Sequence, residues 1–163
     1  MKCGRASKAL GADENTLSFD PGATVAGPYT CNRITIWRAI MAQQGKRQLV
    51  VFVTKGTDNE LSSVGFTIAN GGLTAGLDVS IFLTSAGVDL VRRRSADSTQ
   101  VHPLESLKAM IDDFLRRGGK LWACTPCVKA RGYEQADLVD GVVISGASVV
   151  HDQIKAGAAT ISF

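Results

Sequence analysis

Five short apolar runs alternate with segments of helical periodicity over residues 48–163. The first run, residues 49–53, is apolar throughout, which is typical of a strand buried on both faces. The other runs cover residues 79–83, 121–123, 141–144 and 160–163. Strands that alternate with helices are typical of a parallel sheet with helices packed on both faces. The sequence therefore predicts an α/β fold of three layers, α/β/α, around a five-stranded, mainly parallel sheet.

Helices are predicted between these strands from capping residues and from apolar spacing. Thr57 and Glu60 have the spacing of a capping box, which indicates that the first helix begins there. Pro103 is expected to begin an amphipathic helix, because apolar residues recur at helical spacing until Gly118 and Gly119. Two shorter helices are predicted after the third and fourth strands.

The chain before residue 46 differs in composition from the rest. Residues 1–31 mix Gly, Pro, Asp, Asn and Thr with scattered apolar residues, and no period is sustained. Residues 32–44 have the spacing of a short helix. We therefore expect residues 1–45 to be a poorly ordered or partly helical extension and residues 46–163 to form the folded domain. Met41 lies just before that domain, and we hypothesise that translation naturally begins there.

Charge and hydropathy exclude some classes of partner. The formal net charge is +3, and the one dense basic run, residues 92–94, has no interleaved aromatic residues, so nucleic-acid binding is not indicated. No apolar run has the length of a membrane span. Residues 1–12 lack the apolar region of a secretory signal. We therefore expect a cytoplasmic protein with reduced cysteines, and with neither nucleic acid nor a membrane as a partner.

Two cysteines stand three positions apart where the third predicted strand gives way to a helix. Pro126 suits the first position of a helix, because its nitrogen carries no hydrogen that would need a partner. Thr125 would then be the cap, with Cys124 just outside the helix and Cys127 in its first turn. Backbone amides and the positive end of the helix dipole would point at both sulfur atoms. This setting favours the thiolate, the reactive form of cysteine, and so indicates sulfur or redox chemistry.

The carboxyl edge of an open parallel sheet is where ligands bind. Cys124 is predicted to lie at that edge, together with the turns at residues 56–58, 85–87 and 145–146. Because this location is shared by many α/β proteins, it indicates a site without specifying the chemistry.

Neither a metal nor another cofactor is predicted. A structural zinc site uses two pairs of ligands, whereas this chain has one CxxC pair, with Cys3, Cys31, His102 and His151 standing alone. The chain also has no P-loop. The sequence Trp-Ala-Cys-Thr-Pro-Cys is similar to the thioredoxin motif Trp-Cys-Gly-Pro-Cys, but no proline follows it to take the place of that family's downstream proline. A thioredoxin fold is therefore not predicted.

Several short motifs together indicate a known family. They are the first strand ending at Gly56, the helix with Ala69, Gly72 and Gly76, the segment Phe82…Ala86-Gly87-Val88, and residues 118–124 followed by Arg131 and Gly132. In these motifs, over residues 48–163, the chain resembles the DsrE/DsrF-like family of small sulfur-carrier proteins, which includes TusD-type sulfurtransferase subunits. The resemblance implies one reactive cysteine at the end of the third strand, here Cys124, with an Arg-Gly pair after it.

From this resemblance we expect Cys124 to accept sulfane sulfur as a persulfide and to pass it to a partner thiol. Cys127 departs from the TusD-type pattern and is expected to resolve the persulfide or to share the sulfur. The residues expected to bind substrate or to support the site are Thr125, Lys129, Arg131, Gly132 and Gly87.

The resemblance also implies partners and an assembly. They are a sulfur donor protein, a sulfur acceptor protein and further copies of the chain in a homotrimer or hexamer. Two alternatives stay open at this point, a non-catalytic oligomeric binding module and a dithiol–disulfide redox protein.

Overall fold

The computed structural model describes residues 47–163. Its strands are β1 (Gln48–Val53), β2 (Asp78–Leu83), β3 (Lys120–Cys124), β4 (Val142–Ser145) and β5 (Ala159–Ser162). Its helices are α1 (Glu60–Thr74), α2 (Leu107–Arg116), α3 (Thr125–Ala130) and α4 (Ser148–Lys155), with 3-10 helices at Ser85–Val91 and Gln135–Asp137. The predicted helix over residues 32–44 and the hypothesis about Met41 lie outside the described residues.

The five strands form one sheet in the order β4-β3-β2-β1-β5, and every neighbouring pair is parallel. The predicted α/β fold is thereby confirmed, and the sheet is wholly parallel. Parallel pairing brings the carboxyl ends of the strands to one edge. Leu83 of β2 pairs with Ala123 of β3, so Thr84 and Cys124 follow side by side at that edge.

The two faces of the sheet are covered unequally. One face packs against α1 and α2, which contribute Phe66 and Phe114 to the main core. The rings of these two residues meet edge to face, with centroids 6.3 Å apart. The opposite face packs against α4, where Val150 joins Phe82 in a smaller cluster, and Val143 on that face remains 54% exposed. The three layers are therefore present, but the layer formed by α4 is thin.

Two helices begin later than the sequence predicts. The cap of α1 is Asn59, whose side chain accepts a hydrogen bond from the amide two residues later at 3.0 Å, so the prediction of a capping box at Thr57 is wrong. The cap of α2 is Ser106, which accepts from the amide three residues later at 3.3 Å, so Pro103 does not begin that helix. The predicted end of α2 is confirmed, because Gly118 follows it with a φ of +84°.

Candidate functional site

The two cysteines lie where β3 passes directly into α3. Cys124 is the last residue of β3 and the N-cap of α3, so Thr125 and Pro126 are the first two helical residues, one position earlier than the sequence predicts. The reason is the extended backbone of Cys124, with φ −60° and ψ 118°, after which helical geometry begins at once. The side chain of Cys124 makes no capping hydrogen bond. The expectation that helix amides point at both sulfur atoms is therefore wrong, because Cys124 makes no capping bond and the hydrogen bonds at Cys127 come from outside α3.

The sulfur of Cys127 receives hydrogen bonds from the loop that follows β2. The Ser85 amide donates to Cys127 Sγ at 3.2 Å, and the Thr84 hydroxyl lies 3.5 Å from the same sulfur. Thr84 and Ser85 occupy the carboxyl edge next to β3 because β2 and β3 are neighbours in register. The donors to the Cys127 sulfur therefore come from the loop that follows the adjacent strand.

These contacts change the acidity of Cys127. The hydrogen bond with Thr84 is the largest cause, and it lowers the pKa of the Cys127 thiol from its ordinary value. Partial burial raises this pKa, whereas the Ser85 amide, the Cys124 thiol and the positive charge of Arg131 lower it further. The net result is a lowered pKa, so a larger fraction of Cys127 is thiolate at neutral pH than in an unfolded chain.

Arg131 is held beside Cys127 by an acidic residue of the first 3-10 helix. Its Nε lies 2.9 Å from Asp89 Oδ1, and its guanidinium donates to the Cys127 carbonyl oxygen at 3.3 Å. Tyr133 donates its hydroxyl to the same Asp89 oxygen at 3.0 Å, and the Arg92 guanidinium lies 5.3 Å from the centre of the Tyr133 ring. The cluster fixes the position of the positive charge that acts on the Cys127 sulfur.

The glycines predicted to support the site act through the backbone. A Cβ placed on Gly87 would lie 2.2 Å from the Val53 carbonyl oxygen, so only glycine fits where this loop crosses β1. Gly132 has a φ of +70° and follows the C-cap of α3. Lys129 is exposed and makes no ion pair among the residues described. Arg131 thus lies beside Cys127, Thr125 follows Cys124 directly in the chain, and Lys129 is exposed. Gly87 belongs to the 3-10 helix whose first residue, Ser85, donates to the Cys127 sulfur.

Sequence reasoning missed three groups at this site. Thr84 contacts the Cys127 sulfur, Asp89 pairs with the neighbouring Arg131, and Tyr133 donates to Asp89. None of the three was singled out beforehand. The signal for Thr84 was available, because it directly follows a buried strand at the carboxyl edge. Asp89 and Tyr133 carry no comparable signal, since their hydrogen bond joins residues 44 positions apart.

Two further findings for residues 47–163 concern metal ligands and membrane-spanning helices. Within that range no group of three or more His, Cys, Asp and Glu side chains converges as a metal site would require. His102 and His151 are both exposed. In the same range no helix combines the length and the apolar character needed to cross a bilayer.

The chain is thus a small α/β protein with a pair of free cysteines at the carboxyl edge of a parallel sheet. A sequence model of the DsrE/DsrF-like family matches residues 46–163. The chain belongs to this family, which is generally related to sulfur relay.

Curated proteins of one archaeon are similar to part of the chain. The chain is 31% identical over 99 residues to an uncharacterized protein of Methanocaldococcus jannaschii, covering 61% of this chain and 79% of that one. It is 29% identical over 101 residues to a second uncharacterized protein of that organism, which is longer, since the match spans 61% of this chain and 37% of the relative. Both relatives are uncharacterized, so these similarities add no function.

Solved structures agree with the fold. The ychN protein of E. coli superposes with a TM-score of 0.60 at 17% identity, over 73% of this chain and 100% of that chain. A protein of unknown function from Methanobacterium thermoautotrophicum superposes with a TM-score of 0.57 at 21% identity, over 72% of this chain and 100% of that one. At these identities the comparison concerns the fold alone.

Proposed function

We propose that this protein is a sulfur carrier that holds sulfane sulfur on Cys124 as a persulfide and passes it to a partner thiol. The observation that carries the proposal is the thiol pair at the carboxyl edge. In this pair, Cys127 Sγ accepts a hydrogen bond from the Ser85 amide at 3.2 Å. A thiolate is required for every step of sulfur transfer, and these contacts favour one. Family membership supports the same chemistry.

The transfer is a substitution at sulfur. A thiolate of the protein attacks the outer sulfur of a donor persulfide, the donor's sulfur–sulfur bond breaks, and the donor leaves as a thiolate. An acceptor thiolate then attacks the outer sulfur of the Cys124 persulfide in the same way. Cys127 provides a second route, since it can attack the inner sulfur and release sulfide. That route leaves a Cys124–Cys127 disulfide, with the two cysteines oxidised and the sulfane sulfur reduced.

The test is the intact mass of the protein after exposure to polysulfide. Cys3 and Cys31 are replaced by serine in every sample, so that sulfur can add only at the described pair. We expect the protein to gain the mass of one sulfur atom and then to lose it to an added acceptor thiol. The matched control is the variant that also carries Cys124→Ser and Cys127→Ser, which is expected to gain nothing.

Two other outcomes of this experiment would contradict the proposal. Loss of two hydrogens in the parent, with no sulfur gained by either the Cys124→Ser or the Cys127→Ser variant, would indicate a dithiol–disulfide redox protein. An unchanged mass would indicate a binding module in which the cysteines only pack.

We also propose that the protein exchanges sulfur with donor and acceptor proteins in the cytoplasm, where thiols stay reduced. We further propose that it assembles as a homotrimer or hexamer. The thinly covered sheet face supports self-association. Phe52, Phe82, Trp122 and Val143 form one row across it, and Val143 is 54% exposed. Light scattering on a size-exclusion column is expected to give three or six times the mass of the chain, and a mass of one chain at micromolar concentration would contradict the assembly.

A further inference from the structure

We propose that sulfur reaches this protein first at Cys127 and moves from there to Cys124, so that Cys127 is the capturing thiol and Cys124 the presenting thiol. The inference rests on the proposed sulfur-carrier function and assigns an order to its two cysteines. It goes beyond the resemblance to the family, which implies a single reactive cysteine at the position of Cys124.

The hydrogen bonds at the two sulfur atoms distinguish the cysteines. Cys127 Sγ accepts a hydrogen bond from the Ser85 amide at 3.2 Å and lies 3.5 Å from the Thr84 hydroxyl. Cys124, in contrast, makes no capping hydrogen bond. Both donors favour a negative charge on the sulfur that they contact. The group that attacks a donor persulfide is a thiolate, so the captured sulfur bonds to Cys127 first.

The cluster behind Cys127 reinforces this assignment. Arg131 contacts the Cys127 carbonyl oxygen, and its ion pair with Asp89 at 2.9 Å keeps the guanidinium next to the cysteine. The same positive charge helps to lower the pKa of the Cys127 thiol. A negatively charged persulfide on Cys127 benefits from this charge in the same way as the free thiolate does.

The same contacts make Cys127 a good leaving group, so a persulfide on Cys127 transfers its outer sulfur readily. A sulfur that is stable as a thiolate is a good leaving group in thiol–persulfide exchange. Cys124, whose thiol is a hydrogen-bonding neighbour of Cys127, attacks the outer sulfur of the Cys127 persulfide. A bond forms between Cys124 and the outer sulfur, the bond from that sulfur to Cys127 breaks, and the Cys124 proton moves to the outer sulfur. No oxidant or reductant is consumed, and the Cys127 thiolate regains its contacts with Thr84 and Ser85.

Single-cysteine variants test the order of transfer. The Cys124→Ser and Cys127→Ser variants are made in the background with Cys3 and Cys31 replaced by serine. Each is mixed with polysulfide near pH 7, the reaction is quenched at short times, and the intact mass is measured. We expect Cys124→Ser to load one sulfur, mapped to Cys127 by peptide mass, at the rate of the parent protein. Loading of Cys127→Ser is expected to be slower by on the order of tenfold, since its remaining thiol lacks these donors.

The outcomes separate this inference from the proposed function. If Cys127→Ser loads as fast as the parent and Cys124→Ser does not load, sulfur arrives at Cys124 and the order proposed here is overturned, while the carrier function stands. If neither the parent protein nor either single-cysteine variant takes up sulfur, the carrier function fails.

Thr84 offers a second test that does not remove a cysteine. Thr84→Val keeps the side-chain volume and removes the hydroxyl, whereas Thr84→Ser keeps the hydroxyl. In the Cys124→Ser background, the pH midpoint for alkylation of Cys127 is expected to move upward in Thr84→Val and to stay in place in Thr84→Ser. Sulfur loading should follow the same pH shift and recover at alkaline pH, which a purely structural defect would not produce. An unchanged midpoint in Thr84→Val would overturn the role of this loop in capture.

Discussion

Replacing Gly87 with alanine is expected to destabilise the protein by about 2–3 kcal/mol and to raise the pKa of the Cys127 thiol. The new Cβ would lie 2.2 Å from the Val53 carbonyl oxygen and 3.0 Å from the Val53 carbonyl carbon. Both atoms are backbone, so no side-chain rotation can relieve the overlap. The 3-10 helix must therefore move away from β1, and Ser85 moves with it from the Cys127 sulfur.

Urea unfolding measures the first effect, and the pH midpoint for alkylation of Cys127 measures the second. Gly71→Ala is the matched control, because nothing lies within 4 Å of a Cβ at that helical position. Alanine there is expected to stabilise the protein by about 0.5–1 kcal/mol, since it favours the helix more than glycine does. An unfolding midpoint in Gly87→Ala equal to that of the parent would show that the loop does not pack on β1 as described.

Replacing Phe114 with alanine is expected to have the largest effect on stability, a loss of about 3–5 kcal/mol in the free energy of unfolding. The Phe114 side chain is fully buried in the main core and meets the Phe66 ring at 6.3 Å. It also fills the space above Gly119, where an added Cβ would lie 2.4 Å from its ring. The close-packed surroundings cannot collapse fully onto an alanine, so the variant retains a cavity.

The control for Phe114 is Ile68→Ala, a truncation of an apolar residue that is 41% exposed on α1. It is expected to change the free energy of unfolding by less than about 0.5 kcal/mol, as surface substitutions usually do. Equal losses in the two variants would contradict the placement of Phe114 in the core. Under conditions where Phe114→Ala remains folded, its Cys127 alkylation midpoint is expected to match that of the parent, because the hydrogen bonds at the Cys127 sulfur come from Thr84 and Ser85.

Apolar periodicity was sufficient to predict the five strands and their parallel pairing. A run such as residues 49–53 is buried on both faces only when helices cover both sides of the sheet. Such a covering is typical of parallel sheets whose strands are connected by helices, so few topologies fit. Helix starts were less predictable, because several polar residues compete for each cap. Asn59 and Ser106 provide the caps, whereas the sequence pattern favoured Thr57 and Pro103.

The cysteine pair could be located from the sequence, but the donors to each sulfur could not. Local reasoning supplied only the amides of the following helix, and these do not contact the Cys124 side chain. The groups that contact Cys127 are Thr84 and Ser85, which are 43 and 42 positions away in the chain. Their proximity depends on the neighbouring register of β2 and β3, which no short motif encodes.

The position of β5 has a consequence for how the protein is made. Strand β5 follows the other four in the chain, yet it pairs with β1, and Thr54 donates its backbone amide and its hydroxyl to the Phe163 carbonyl across 109 residues. While the nascent chain leaves the ribosome, the apolar β1 therefore has one unpaired edge until β5 emerges. Such an edge is a template for mispairing with other chains, so the risk of aggregation is raised for as long as β5 has not paired with it.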